Sequence, residues 1–229
     1  MTLAILIMAV TMVLSLVAMG RVKSTFYRYQ QIPVSSGYTG YQAARRILQT
    51  AGIHDVEIVE HPSPLGDHYD PIHKRLVLSS EVYHGSSPAA LGVAAHECGH
   101  AIQHKIAYAP LQWRMAAVGV TTFASQAVLW LPLIGFGTGL ITNVVAMAWF
   151  MAICWGIIML FNLITLPVEY DASRRAKLIL QKMNLVRAGE EAVGVERVLN
   201  AAALTYVAAF ITSLVYFLWY LLPLLTRRE

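Results

Sequence analysis

Fifty-four consecutive residues, Met115 to Val168, carry no charged side chain. No soluble core uses so long an uncharged stretch, whereas a helix crossing a bilayer needs about 20 apolar residues. Two further runs repeat the signal: Met1 to Gly20 and Val198 to Thr226 are also free of charge. Charged residues make up only 13% of the chain, about half of what soluble domains carry. The long run has room for two spans, and Leu131-Pro132-Leu133-Ile134-Gly135-Phe136-Gly137-Thr138-Gly139 offers a proline and three glycines for a tight external turn between them. Four spans are expected: Thr2 to Met19, Met115 to Leu133, Leu140 to Leu166 and Val198 to Leu225. The first is read as a retained anchor and not a cleaved signal peptide, because its positive charges, Arg21, Lys23 and Arg28, follow the apolar core.

The segments left outside the apolar runs, 21–114 and 167–197, are separated by two spans and so share one side of the membrane. Near the membrane they carry eleven Lys and Arg, against only Arg227 and Arg228 on the other side. The positive-inside rule then puts both segments in the cytoplasm and both termini outside, as expected of a multi-pass membrane protein. The resulting organisation is a span over 1–20, a cytoplasmic region over 21–114, a transmembrane hairpin over 115–166, a cytoplasmic segment over 167–197 and a last span over 198–226. The net charge of +4 follows from this topology, and no basic stripe with interleaved aromatics points to nucleic acid. Cys98 and Cys154 do not form a disulfide framework.

Within 21–114 the pattern changes to that of a small α+β fold. Tyr41 to Ala51 has helical spacing, with Ala43, Ala44, Ile47 and Leu48 on one face and Gly52 as its stop. Asp55 to Glu60 and Arg75 to Ser79 read as strands, and His61 to Pro71 as a loop. Ser87-Pro88 reads as an N-cap and first helical residue. The strand before this helix could offer its edge to an extended peptide.

That helix carries His96-Glu97-Cys98-Gly99-His100, an H-E-x-x-H motif. Residues i and i+4 of a helix lie on one face, so His96 and His100 can hold one zinc ion, with Glu97 in reach of a water as general base. Gly99 and Ala94-Ala95 leave room for close approach. A catalytic zinc usually takes three protein ligands. The pattern that adds a third histidine six residues on is absent, since Gln103 and Ile106 fill the corresponding positions. His104, one turn past His100, suits a supporting or surface role better than ligation. Glu169 follows the third span directly and so meets the motif at the same membrane edge. Asp171 is its rival, and Asp171 or Ser173 could orient a ligand histidine. Tyr83, His84 and Arg175 are candidates for stabilising an oxyanion. Cys98 points away from the ligand face.

Beyond the motif, Ser36 to Gly40, Asp67 to Pro71, Leu76 to Tyr83, Ala94 to Gln103, Pro167 to Ala176 and Val198 to Ala209 resemble the YugP-like neutral zinc metallopeptidases of bacterial membranes. The resemblance covers nearly the whole chain, with Tyr38 standing where that family more often has leucine. More distantly the arrangement is similar to the gluzincins of the HtpX and CAAX prenyl protease group, whose third zinc ligand is a Glu followed four residues on by an Asp. Glu169 matches the Glu, and Ser173 stands in place of the Asp. The resemblance implies a mostly α, four-helix integral membrane protein with a zincin-like cytoplasmic domain. Its implied activity is that of a Zn2+ metallopeptidase acting on peptide or protein substrates. Another zinc-dependent amide hydrolase, or a non-proteolytic scaffold with a structural zinc, are the alternatives. The lipid bilayer is one partner; a second membrane protein or a regulator is a further candidate that the sequence does not name, and whether the chain forms a homo-oligomer is not written in it.

Overall fold

A computed structural model describes residues 2–138 and 143–226. The chain is mostly helical, in the order α1 (Thr2–Gln30), α2 (Gly40–Thr50), β1 (Glu57–His61), β2 (His68–Asp70), β3 (Arg75–Ser79), α3 (Ser80–Tyr83), α4 (Pro88–Lys105), α5 (Ala109–Thr138), α6 (Val144–Lys182) and α7 (Glu190–Leu225). Helices α1, α5, α6 and α7 are long and apolar enough to cross a membrane. Their outward faces are apolar, as Leu6, Val13 and Met19 on α1 illustrate. At 1.5 Å per residue, the 39 residues of α6 reach about 58 Å, roughly twice the hydrocarbon thickness of a bilayer. Its C-terminal half therefore projects past the membrane-spanning length and carries Glu169 and Ser173. The helices are longer than the spans expected from sequence because charged residues at their ends do not break them: α1 runs eleven residues past Met19.

The expected turn at Leu131 to Gly139 is a correction. Helix α5 continues through Pro132 as far as Thr138. Gly139, the last of the three glycines, lies outside the described residues, as do Arg227 and Arg228. Pro167 likewise sits inside α6 without ending it.

The two local helix starts rest on side-chain caps. Thr39 forms a capping box with Gln42 at the head of α2. Ser87 Oγ accepts from Ala90 N–H at 3.2 Å, with Pro88 following in the first turn of α4. The sheet has the order β1-β3-β2, with β3 parallel to β1 and antiparallel to β2. Strand β2 lies in the stretch expected to be loop. Strand β1 covers β3 along its whole length and β2 covers Arg75 to Val77 on the other side, so the edge that β3 could offer a peptide is reduced to Leu78 and Ser79, and the Ser79 N–H is already taken by Asp67.

One apolar core joins the sheet region to the projecting helix ends. Ile47 and Leu48 of α2, Leu76 and Leu78 of β3, and Leu91, Ala94 and Cys98 of α4 pack with Phe26 of α1, Leu180 of α6 and Leu199 of α7. Segment 167–197 thus contributes Ala176, Leu180, Leu185, Val186 and Val195 to the same core as segment 21–114.

Candidate metal centre

Helices α4 and α6 meet unusually closely. A Cβ placed on Gly99 would lie 2.9 Å from the carbonyl oxygen of Ala172 and 3.1 Å from its Cα, so only glycine permits this backbone approach. The contact brings one face of α4 against Glu169 and Ser173, which stand four residues, about one turn, apart on α6. His96 Nε2 is 3.2 Å from Glu169 Oε2, and His100 Nε2 is 3.6 Å from the same oxygen. The ligand atoms of His96, His100 and Glu169 all lie within 4.8 Å of one another, a group that could hold a metal ion. Two imidazole nitrogens and a carboxylate oxygen suit zinc. At bond lengths of about 2.0–2.1 Å, tetrahedral zinc ligands stand about 3.3 Å apart, which matches the two spacings to Glu169.

Each ligand atom is aimed by a neighbour. Gln103 is fully buried, and its Nε2 donates to the Val168 carbonyl at 2.8 Å and to Asp171 Oδ2 at 3.0 Å. Both partners can only accept, so Gln103 Oε1 is left facing His100 Nδ1 at 3.0 Å. His100 must donate from Nδ1, which turns Nε2 toward Glu169. His96 Nδ1 is 3.1 Å from Ser173 Oγ, and a proton on Nδ1 donated to that hydroxyl frees Nε2 in the same sense. Arg114 Nη1 donates to Glu169 Oε1 at 2.8 Å, leaving Oε2 for the two histidines. Burial disfavours the His100 imidazolium, but its hydrogen bond to Glu169 and the charges of Glu97 and Glu169 outweigh that and hold its pKa above the ordinary histidine value.

Glu97 is buried on the adjoining face of α4 and lines a cavity of about 240 Å³ together with His96, Glu169 and Ser173. Asp67, in the loop before β2, lines it too. Its Oδ1 accepts from Ser79 N–H at 2.7 Å, and Ser79 Oγ reaches both its oxygens. Burial pushes the Asp67 carboxyl pKa up, against these hydrogen bonds. The far wall of the cavity comes from α1 and α7, including Phe26, Leu199 and Tyr206.

Other candidates from the sequence lie elsewhere. His104 pairs through Nδ1 with Tyr69 OH at 2.9 Å, away from the cluster. Asp171 is bound by Arg174, Arg175 and Gln103, so it supports His100 through Gln103 and stands outside the three-residue group. Among the oxyanion candidates, Tyr83 stacks on Tyr41, His84 pairs with Glu60 and Arg175 with Asp171; none lines the cavity. Cys98 is buried and donates toward the Ala44 carbonyl, and burial raises its thiol pKa well above the ordinary range. Both cysteines are free. Sequence reasoning missed Arg114, Gln103, Asp67 and Tyr206. A glutamine in an apolar helix three residues past a ligand histidine was the available signal for Gln103, and a tyrosine inside an apolar run was the signal for Tyr206.

The model of a family described as "Putative neutral zinc metallopeptidase" matches residues 4–225. The chain is 42% identical over 216 residues to a Bacillus subtilis (strain 168) protein named "Putative membrane protease YugP", covering 94% of each chain. No solved structure matches.

Proposed function

The chain belongs to this family of neutral zinc metallopeptidases, and we propose that it is a membrane-embedded peptidase that hydrolyses peptide bonds at the membrane edge. The observation that carries this reading is the convergence of His96, His100 and Glu169 beside a cavity into which Glu97 opens. His96, His100 and Glu169 would hold the zinc. Bound there, zinc would supply a Lewis acid for the substrate carbonyl and lower the pKa of a water toward about 7. Glu97 takes the proton of the attacking water and passes it to the leaving amine. Ser173 and Gln103 keep the histidine Nε2 atoms aimed, and Arg114 keeps Glu169 oriented. A structural zinc would need a fourth protein ligand; among the described residues the group contains three.

In this reading segments 21–114 and 167–197 form the cytoplasmic zincin-like domain, and both termini lie outside. A His73→Cys variant reports on the sidedness, since His73 is exposed and both native cysteines are buried. A membrane-impermeant maleimide should label it in inverted vesicles and spare it in intact spheroplasts; the reverse pattern would invert the topology.

The mechanism is tested by Glu97→Gln. The variant should bind zinc as wild type does and lose peptide cleavage by about 10²–10⁴-fold, the range for a missing general base. Undiminished cleavage would remove Glu97 from the reaction.

A further inference from the structure

The cavity beside the metal cluster has two chemically different walls. One is polar and carries His96, Glu97 and Glu169; the other is built by two of the helices long enough to cross a membrane, with Val22 and Phe26 from α1 and Leu199, Ala202 and Ala203 from α7. Its volume of about 240 Å³ falls below the roughly 300–1,000 Å³ that a drug-sized ligand occupies. It is sized for one side chain and not for a whole small molecule.

Its carboxylates are already engaged. Asp67 is held by the backbone N–H and hydroxyl of Ser79, and Glu169 by Arg114 and the two histidines. A lysine or arginine side chain entering the cavity would find only Glu97 to pair with, and the chemistry takes that group. The remaining surface is mostly aliphatic and aromatic, broken by the hydroxyls of Ser173, Thr205 and Tyr206, and the smallest lining side chains are Ala202 and Ala203. They leave open the space that a large side chain would fill.

Resting on the peptidase reading, we infer that this cavity is the subsite for a large apolar side chain next to the scissile bond, with Ala202 and Ala203 of α7 setting its depth. The occupant is a leucine, methionine or phenylalanine of a peptide substrate. A membrane helix thereby takes part in sequence selection, and substrates are drawn from apolar stretches where a chain leaves the bilayer.

The test digests a mixture of synthetic random-sequence peptides with the purified, zinc-loaded full chain and maps cleavage sites by mass spectrometry. Wild type should enrich leucine, methionine or phenylalanine over alanine at one position flanking the cut by at least about tenfold, since a single methylene in an apolar pocket is worth about 10–200-fold. Ala202→Phe should hold zinc as wild type does and shift the preference to alanine or glycine; Ala202→Leu is the milder variant should the first not fold. A second readout needs no turnover: with zinc chelated, a fluorescein-labelled peptide carrying leucine at the mapped position should bind more tightly than its alanine twin by fluorescence anisotropy, and Ala202→Phe should erase the difference. Cleavage that depends on Glu97 but shows no apolar enrichment, or a preference for lysine, overturns the subsite and leaves the peptidase reading standing. An apolar preference untouched in zinc-loaded Ala202 variants overturns its placement on α7. No cleavage that depends on Glu97 sinks the peptidase reading and the subsite with it.

Discussion

Gly99 and Ala172 touch backbone to backbone. The absent Cβ of Gly99 would stand 2.9 Å from the Ala172 carbonyl oxygen, a distance that no side chain at position 99 can hold. The consequence runs to the metal cluster, because α6 carries Glu169 three residues before Ala172 and Ser173 directly after it. Gly99→Ala should push α6 away from α4. Overpacking of this kind costs about 1–3 kcal/mol, and here the displaced atoms are backbone, which cannot swing aside. We expect lower thermal stability in detergent and weaker zinc binding together. A variant with wild-type zinc affinity would mean that the close approach does not position Glu169.

Ser173 and Gln103 should separate from the ligands in a zinc titration. Each touches the Nδ1 of one histidine, at 3.1 Å and 3.0 Å, and partners of this kind are worth about 10–100-fold in metal affinity. Ser173→Ala should weaken zinc binding within that range and leave the fold intact, whereas Ser173→Asp should retain or strengthen it. Gln103→Leu should do more damage, since it also removes the donor shared by the Val168 carbonyl and Asp171, at about 0.5–1.5 kcal/mol for each hydrogen bond lost. Isothermal titration beside a denaturant melt distinguishes the two. Equal stability losses in both variants would count against the difference.

The parts legible in the sequence are those written at short range. Ser87-Pro88 marks the start of α4 because a cap and a first-turn proline act within four residues. His96 and His100 share a face because they are four residues apart. Glu169 was reachable by topology: two spans return the chain to one side, and helix α6 emerges there. What stayed hidden depends on contacts across the fold. Strand β2 is three residues long and exists only because β3 pairs with it. Pro132 and Pro167 read as breaks, yet long apolar helices carry through both. Arg114 counted only as a membrane-edge positive charge, while its place beside Glu169 is fixed by how α5 leaves α4. Tyr206 and the alanines of α7 looked like ordinary span residues until α1 and α7 closed around the cavity.

Zinc affinity should fall as pH is lowered, starting above the ordinary histidine range. Burial works against a charged His100, but Glu169 and Glu97 together hold its pKa up, so protons compete with the metal for Nε2 at higher pH than they would for a free imidazole near 6.5. In the metal-free protein the sign is opposite. A raised folded pKa contributes stability that is fully present below the unfolded value of about 6.5 and is lost as pH rises through the folded value. With chelator, therefore, the melting temperature should drop as pH climbs through that window, and His100→Gln should flatten the drop. With saturating zinc the trend should reverse. A chelator-treated protein whose stability rises across the same window would contradict the coupling of His100 to Glu169.

Arg114 is the remaining control on the site, because it acts on the ligand that comes from outside the motif. Its Nη1 occupies Glu169 Oε1 at 2.8 Å, and the carboxylate itself is only 2% exposed. Removing the guanidinium leaves a buried charge with one oxygen bare and lets the carboxylate turn. Arg114→Ala should therefore lower zinc affinity by about 10–100-fold, with peptide cleavage restored when zinc is supplied in excess. Arg114→Lys should recover part of the loss, as a single charged donor can still reach one oxygen but lacks the fixed fork of arginine. Glu169→Gln should weaken zinc binding by more than Arg114→Ala does while still leaving measurable metal at high zinc, and adding Arg114→Ala to it should change little more, because the two residues act through one carboxylate. Additive losses in that double variant, measured by metal content per chain, would show that Arg114 serves something other than Glu169.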